Sequence, residues 1–178
     1  MNATSPVIFA DGTEFYTALA SIYKTHPRGL FILAPSGTGK TYFVTAQREK
    51  HWIDGDYLWP ATNADLNTDE WNNDQESVEE INRRSDVITA QVKKLGFWVV
   101  GSSNDSLKPD AIVIPPWRTH REYIRKREGK EYDGGAKSED FKAVLAHRKI
   151  IKKWQKKGVP CFNSIEEAAD FLARGIKV

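Results

Sequence analysis

Leu30-Phe31-Ile32-Leu33-Ala34-Pro35-Ser36-Gly37-Thr38-Gly39-Lys40-Thr41 is the stretch that decides the fold. Four consecutive apolar residues predict a short strand buried on both faces, as in a parallel sheet. A glycine-bearing turn follows, and Tyr42 to Lys50 reads as a helix. Strand, turn, Gly39-Lys40-Thr41 and helix together form the pattern of a phosphate-binding loop of the Walker A type. Ala34 stands where that pattern ordinarily has its first glycine. Gly37 and Gly39 permit backbone conformations that a Cβ forbids, so successive N–H groups can converge on one anion. The cradle comprises Ala34, Pro35, Ser36, Gly37, Thr38 and Gly39. Lys40 is expected to reach the β- and γ-phosphates of ATP, and the Thr41 hydroxyl to hold Mg²⁺.

Working outward, Ile53 ends the next short strand, and Asp54-Gly55-Asp56 follows at its C-terminal end. Ligands of open α/β sheets bind at that edge. Two carboxylates beside a phosphate loop can divide the labour. One serves the metal, and the other accepts or orients the acceptor's proton. Asp-Gly is also a common polar turn. Phe97 to Ser102 is a second buried strand, but it ends in Gly101-Ser102 rather than the acid of a translocating or signalling NTPase. That leaves Asp54 and Asp56 as the candidate carboxylates near the metal.

Ser77 to Leu95 reads as a helix with Ser77 and Glu80 as a capping box and Gly96 as its stop. Arg84 lies at the edge of its apolar stripe and is a candidate substrate contact, or a snorkelling surface arginine. Trp71, in a polar loop, is either a packing anchor or a flap. Asp110 to Ile114 is a further strand, stopped by Pro115-Pro116. Trp117 to Glu128 then predicts a helix with Arg118, Arg121 and Arg125 on one stripe, where like charges repel unless an anion neutralises them. Guanidinium forks suit phosphate oxygens. Arg121 and Arg125 are therefore expected to act catalytically and Arg118 on the nucleotide, within a lid spanning about residues 118–138. Ser138 is expected to cap the helix Glu139 to Lys157. Arg148 falls within its apolar stripe and must meet phosphate, the base, or a core acid, because an unpaired charge there would be costly. Flanking these, Val7 to Phe9 reads as a strand and Thr13 to Lys24 as a helix. Pro160 to Phe162 reads as a strand, followed by a helix over Ser164 to Ala173. The four histidines form no metal-ligand spacing, and Cys161 has no partner for a disulfide.

Composition sets the outer bounds. At 178 residues with 40% hydrophobic content, one α/β domain over 1–178 has material for a real core. A single cysteine fits a reducing cytoplasm, and no run approaches the roughly 18 apolar residues of a membrane span. The net charge of +2 hides a polarity. Residues 1–117 carry 10 Lys/Arg against 15 Asp/Glu, whereas 118–157 carry 14 against 6. Interleaved with Trp117, Tyr123, Tyr132 and Trp154, that basic segment suits an anionic partner, nucleic acid included. A solvated helical face is the plainer alternative.

The Walker A loop, the Asp-x-Asp turn, the missing strand-end acid and the Arg-bearing lid together resemble the P-loop small-molecule and nucleotide kinases. Asp54-Gly55-Asp56-Tyr57-Leu58-Trp59-Pro60 with Asn63 is similar to the gluconate-kinase run Asp-Gly-Asp-x-Leu-His-Pro-x-x-Asn, with Trp59 in place of His. Their later Asp-Arg-x-Pro-Trp segment is missing. Glu79-Glu80-Ile81-Asn82-Arg83-Arg84, with Lys94 to Val100 beyond it, is similar to adenylylsulfate kinases, whose Asn-x-Arg after Asp-Gly-Asp is absent here. The resemblance implies a three-layer P-loop kinase fold that binds ATP and Mg²⁺ and moves the γ-phosphoryl group to an acceptor hydroxyl or phosphate. Lys40, Thr41 and Asp54 then serve nucleotide and metal, Asp56 is the acceptor base, and Arg84 and Trp59 meet the substrate. The acceptor implied is of nucleotide type, or a sugar acid or adenylylsulfate. A specific version is phage DNA modification, in which small P-loop kinases phosphorylate 5-hydroxymethyluracil within DNA. A non-kinase NTPase and a nucleic-acid-binding regulator with a vestigial loop are the competing classes.

Overall fold

A computed structural model describes residues 15–62, 75–130 and 135–176. The expected strand over Val7 to Phe9, Asn63 and Trp71 lie outside that range, as does the side chain of Trp59. Five parallel strands form one sheet: β1 (Leu30–Leu33), β2 (Trp52–Asp54), β3 (Trp98–Gly101), β4 (Ala111–Val113) and β5 (Cys161–Phe162), in the order β2-β3-β1-β4-β5. The register pairs Leu30 with Trp98, Leu33 with Gly101, Leu33 with Ile112, and Asp54 with Val100.

Helices cover both faces: α1 (Phe15–Ala20), α2 (Lys40–Ala46), α3 (Gln75–Lys94), α4 (Trp117–Glu128), α5 (Phe141–Lys152) and α6 (Ile165–Arg174). The period-2 pleat sorts each strand between two cores. Phe31, Leu33, Ile53, Val99 and Ile112 pack with Leu19 of α1, Ile88 and Val92 of α3, and Ile151 of α5. Leu30, Ile32, Trp52, Trp98, Val100 and Val113 pack with Val44 of α2 and with Ile165, Ala168 and Ala169 of α6. The unbroken apolar run of β1 follows from this double covering. Each fully buried Leu, Ile or Phe contributes about 1.5–3 kcal/mol.

The topology also positions the site. The chain leaves β1 through α2 on one face and leaves β4 through α4 and α5, the latter packed on the other. Neighbouring strands whose connections part to opposite faces open a crevice at their C-terminal ends. The Ala34–Gly39 loop occupies that crevice.

Several local expectations shift for physical reasons. α2 begins at Lys40, directly after Gly39 in a left-handed conformation (φ 89°), and ends at Ala46. Ser77 lies inside α3 rather than at its cap, and Glu80 binds Arg83 and Arg84 instead of the helix start. Ser138 opens a short 3-10 turn, and its hydroxyl donates to Glu128 at 2.5 Å. α5 stops at Lys152, and a 3-10 turn at Gln155–Lys157 follows. Ser164 does cap α6, accepting from the Glu167 amide at 3.2 Å.

Candidate functional site

The loop after β1 is held in shape by its own groups. Gly37 (φ 83°) and Gly39 (φ 89°) both adopt left-handed backbone, which accounts for glycine at these two positions. The Thr38 hydroxyl donates to the Pro35 carbonyl at 2.8 Å, and Lys40 Nζ reaches the same oxygen at 3.3 Å. Ala34 donates its amide to Gly101 O at 2.9 Å, tying the loop's start to the end of β3.

Lys40 is 7% exposed. Burial lowers its pKa, while Asp56 and then Asp54 act to raise it. Thr41 donates its hydroxyl to Asp54 Oδ2 at 2.8 Å, and Asp54 Oδ1 accepts from the Asp56 amide at 3.2 Å. Asp54, at the end of β2, is 8% exposed. Burial and the neighbouring Asp56 raise its pKa, against the hydrogen bond from Thr41, which lowers it. Lys40, Thr41, Asp54 and Asp56 thus gather on one side of the sheet. The Thr41 hydroxyl and Asp54 carboxylate form a pair of hard oxygen donors. That pair fits Mg²⁺, which keeps most of its waters and takes only one or two protein carboxylates. Among the described residues no cluster of three or more His, Cys, Asp or Glu forms a fuller metal cage.

No protein-family model and no curated protein matches the chain. What the site can do follows from its own residues.

α4 packs across the loop, but not through its expected arginine stripe. The inward side carries His120 and Ile124, both fully buried. His120 Nε2 bonds the Ser36 carbonyl at 2.8 Å, and a Cβ on Gly37 would stand 2.5 Å from Ile124. At 100° per residue, Arg118, Arg121 and Arg125 centre about 120° round the helix from this side. Arg118 is accordingly turned to solvent, its side chain 87% exposed and paired with Glu122. Arg125 is exposed, with its guanidinium 5.7 Å from the Phe141 ring centre. Arg121 is half-buried, and its Nε has no hydrogen-bond partner among the described residues.

Arg127, which the stripe argument passed over, lies on the inward side. Its guanidinium donates to Ala136 O, while Ala136 N donates to the Ser36 hydroxyl at 3.1 Å. It is close enough to Lys40 to act on that amine's charge. Its spacing from His120 and Ile124 (i+7 and i+3) was the available signal.

Of the partners expected for Arg148, a core acid is not found among the described residues: its bonds go to neutral groups. It donates to the Pro115 carbonyl at 2.8 Å and to His120 Nδ1 at 2.9 Å, and lies over the Trp117 ring. An arginine only donates, so His120 Nδ1 accepts and Nε2 carries the hydrogen that goes to Ser36. Burial pushes the His120 pKa down to about 4. Arg84 forms an ion pair with Glu80 at 2.6 Å along its own helix. His147 was also passed over. Burial, and then the Lys40 charge, lower its pKa, which brings α5 into the neighbourhood of the loop.

Proposed function

We propose that this chain is an ATP-dependent P-loop kinase that transfers the γ-phosphoryl group to an acceptor of nucleotide type. The observation that carries this reading is the 2.8 Å hydrogen bond from Thr41 to Asp54, beside the buried Lys40 and a loop with two left-handed glycines. In this reading the loop amides and Lys40 hold the phosphate tail, and Thr41 and Asp54 hold Mg²⁺. Bound there, the metal would neutralise charge on the phosphate oxygens. Asp56 is exposed at the crevice and orients or deprotonates the acceptor. Arg127 sits where it can stabilise charge on the transferring group, and α4 with the turn at residues 135–137 closes over the loop as a lid.

The basic segment from 118 to 157 supports an acceptor carried on nucleic acid. The hydroxymethyl group of 5-hydroxymethyluracil in phage DNA is the specific version proposed. The test is incubation with γ-labelled ATP, Mg²⁺ and a panel of deoxynucleoside monophosphates, gluconate, adenylylsulfate, plain DNA and hydroxymethyluracil DNA. Label should move to one acceptor and stop moving in Lys40→Ala and Asp56→Asn. ATP turnover indifferent to every acceptor would instead support a non-kinase NTPase.

A further inference from the structure

We propose that the outer side of α5, together with the side of α4 that meets its first turn, is a docking surface for the phosphate backbone of duplex DNA, outside the crevice read as the ATP site. The proposal rests on the reading of the acceptor as one carried on nucleic acid, and it locates where the polymer is held.

The arginine stripe of α4 contributes the first part of this surface. Trp117, Arg121 and Arg125 fall within about 80° of one another, roughly 90° round the helix from His120, Ile124 and Arg127. Phe141, the first residue of α5, meets that side. Its ring centre lies 5.3 Å from that of Trp117 and 5.7 Å from the Arg125 guanidinium. Arg121 stands between those two contacts, and its Nε is buried without a hydrogen-bond partner among the described residues. Like charges at that spacing repel unless an anion joins them. The phosphate loop meets a different side of α4, so these arginines have a requirement for an anion that the loop's own ligand does not meet.

The basic surface continues along α5. Residues 141–157 carry six lysines, one arginine and no acid. Val144 and Ile151 are buried, and Arg148 reaches Pro115 and His120, which fixes the inward side of the helix. Lys142, Lys149 and Lys153 share the opposite side, within about 40° of one another. All three are exposed, and none forms a hydrogen bond or ion pair with a described residue. Lys153 keeps helical dihedrals (φ −59°, ψ −29°) beyond the last residue of α5, so the stripe runs unbroken for about 16 Å.

Duplex DNA carries one phosphate about every 3.4 Å of axis along each strand, so each lysine of such a stripe has a phosphate within reach. Contacts of this kind read no sequence; they hold and orient the duplex. A membrane surface is the other large polyanion, but helices that lie in it bury an apolar face there. The apolar face of α5 is already packed in the core, where Ile151 is fully buried. Position also favours a polymer that reaches the site. α5 starts against α4 at Phe141, and His147 hydrogen-bonds the Ser102 backbone just beyond β3. The first half of α5 thus borders the C-terminal ends of the strands, and a duplex laid along the stripe extends to the mouth of the crevice.

The experiment measures fluorescence anisotropy of a labelled plain duplex with the full chain, without ATP, as salt is raised. Wild-type affinity should fall with salt. In the combined variant Lys142→Ala, Lys149→Ala, Lys153→Ala, the slope of log K against log salt should shrink by about 0.9 for each lysine removed. Replacing the same three by arginine should keep the slope. With γ-labelled ATP and Mg²⁺, the triple alanine variant should raise the KM for hydroxymethyluracil within a duplex roughly tenfold or more. The KM for ATP, and for the same group as a free nucleoside, should stay unchanged. A wild-type slope in the triple alanine variant would overturn the inference, as would tighter binding to vesicles of phosphatidylserine and phosphatidylcholine than to the duplex. Both outcomes leave the kinase reading intact, because transfer to the free nucleoside tests it alone. Salt-sensitive duplex binding that is lost in the alanine variant, with no transfer to any acceptor, would support the surface and overturn the kinase.

Discussion

His120 donates from Nε2 to the Ser36 carbonyl at 2.8 Å, and that bond ties α4 to the loop. It requires a neutral imidazole, because Arg148 occupies Nδ1 as a donor. Protonation would set two donors against each other in a buried place. The folded pKa of about 4 lies below the ordinary 6.5, so between those values the unfolded chain binds the extra proton. Stability from this group is therefore full above about pH 6.5 and declines by up to about 1.4 kcal/mol per pH unit as pH falls toward 4. Chemical denaturation across pH 4–7 measures this. His120→Gln retains a donor for Ser36 but cannot titrate, and should flatten that part of the profile. His120→Phe strands two partners and should cost about 1–3 kcal/mol at pH 7.

Asp54 illustrates a conflict between fold and site. Burial and Asp56 raise its folded pKa, so the penalty is absent at low pH and present once pH rises through that value. At pH 7, Asp54→Asn is expected to raise the Tm of the ligand-free protein, and the gain should vanish below the ordinary carboxylate value of 3.8. The same substitution should raise the Mg²⁺ concentration for half-maximal transfer by about 10- to 100-fold. A lower Tm with unchanged Mg²⁺ dependence would detach Asp54 from the metal.

How far the sequence alone could be read depends on how local each cause is. The unbroken apolar run of Leu30 to Leu33 implies a strand between two layers, and the alternating assignment of Phe31 and Ile32 to opposite cores follows from the pleat. α4 was legible to the residue, since Pro115-Pro116 and Gly129 bracket it. Its rotation about its own axis was not. That depends on Ile124 meeting Gly37, a contact across 87 positions that no periodicity encodes. Arg148 was read correctly as needing a partner. The partners proved to be neutral acceptors 28 and 33 residues away, which a helical wheel cannot reveal. Metal-ligand spacing does not single out His120, whose role is a hydrogen bond to the backbone of a loop 84 residues away.

The rotation of α4 ranks its arginines. Arg127→Ala should lower kcat about 100-fold or more, the usual effect of removing a pre-organised donor from developing charge. Arg121→Ala should lower turnover more than ATP affinity, while Arg118→Ala, at a solvated ion pair, should stay within about twofold. Steady-state kinetics on the three variants decides the order. Arg118→Ala as damaging as Arg127→Ala would mean that α4 turns on its axis when substrate binds.

Two glycines in the loop carry nearly the same dihedral yet should respond differently to alanine. Gly39 (φ 89°) faces open space, so Gly39→Ala bears only the left-handed backbone penalty of about 1–2 kcal/mol. Gly37 (φ 83°) faces Ile124 at 2.5 Å, so Gly37→Ala adds an overpacking cost of about 1–3 kcal/mol to that same penalty. Urea denaturation of both variants tests the difference. The double variant Gly37→Ala with Ile124→Ala removes the clashing atoms, so the two losses should sum to less than additivity requires. Strict additivity would place the whole Gly37 effect in the backbone and remove the Ile124 contact as its cause.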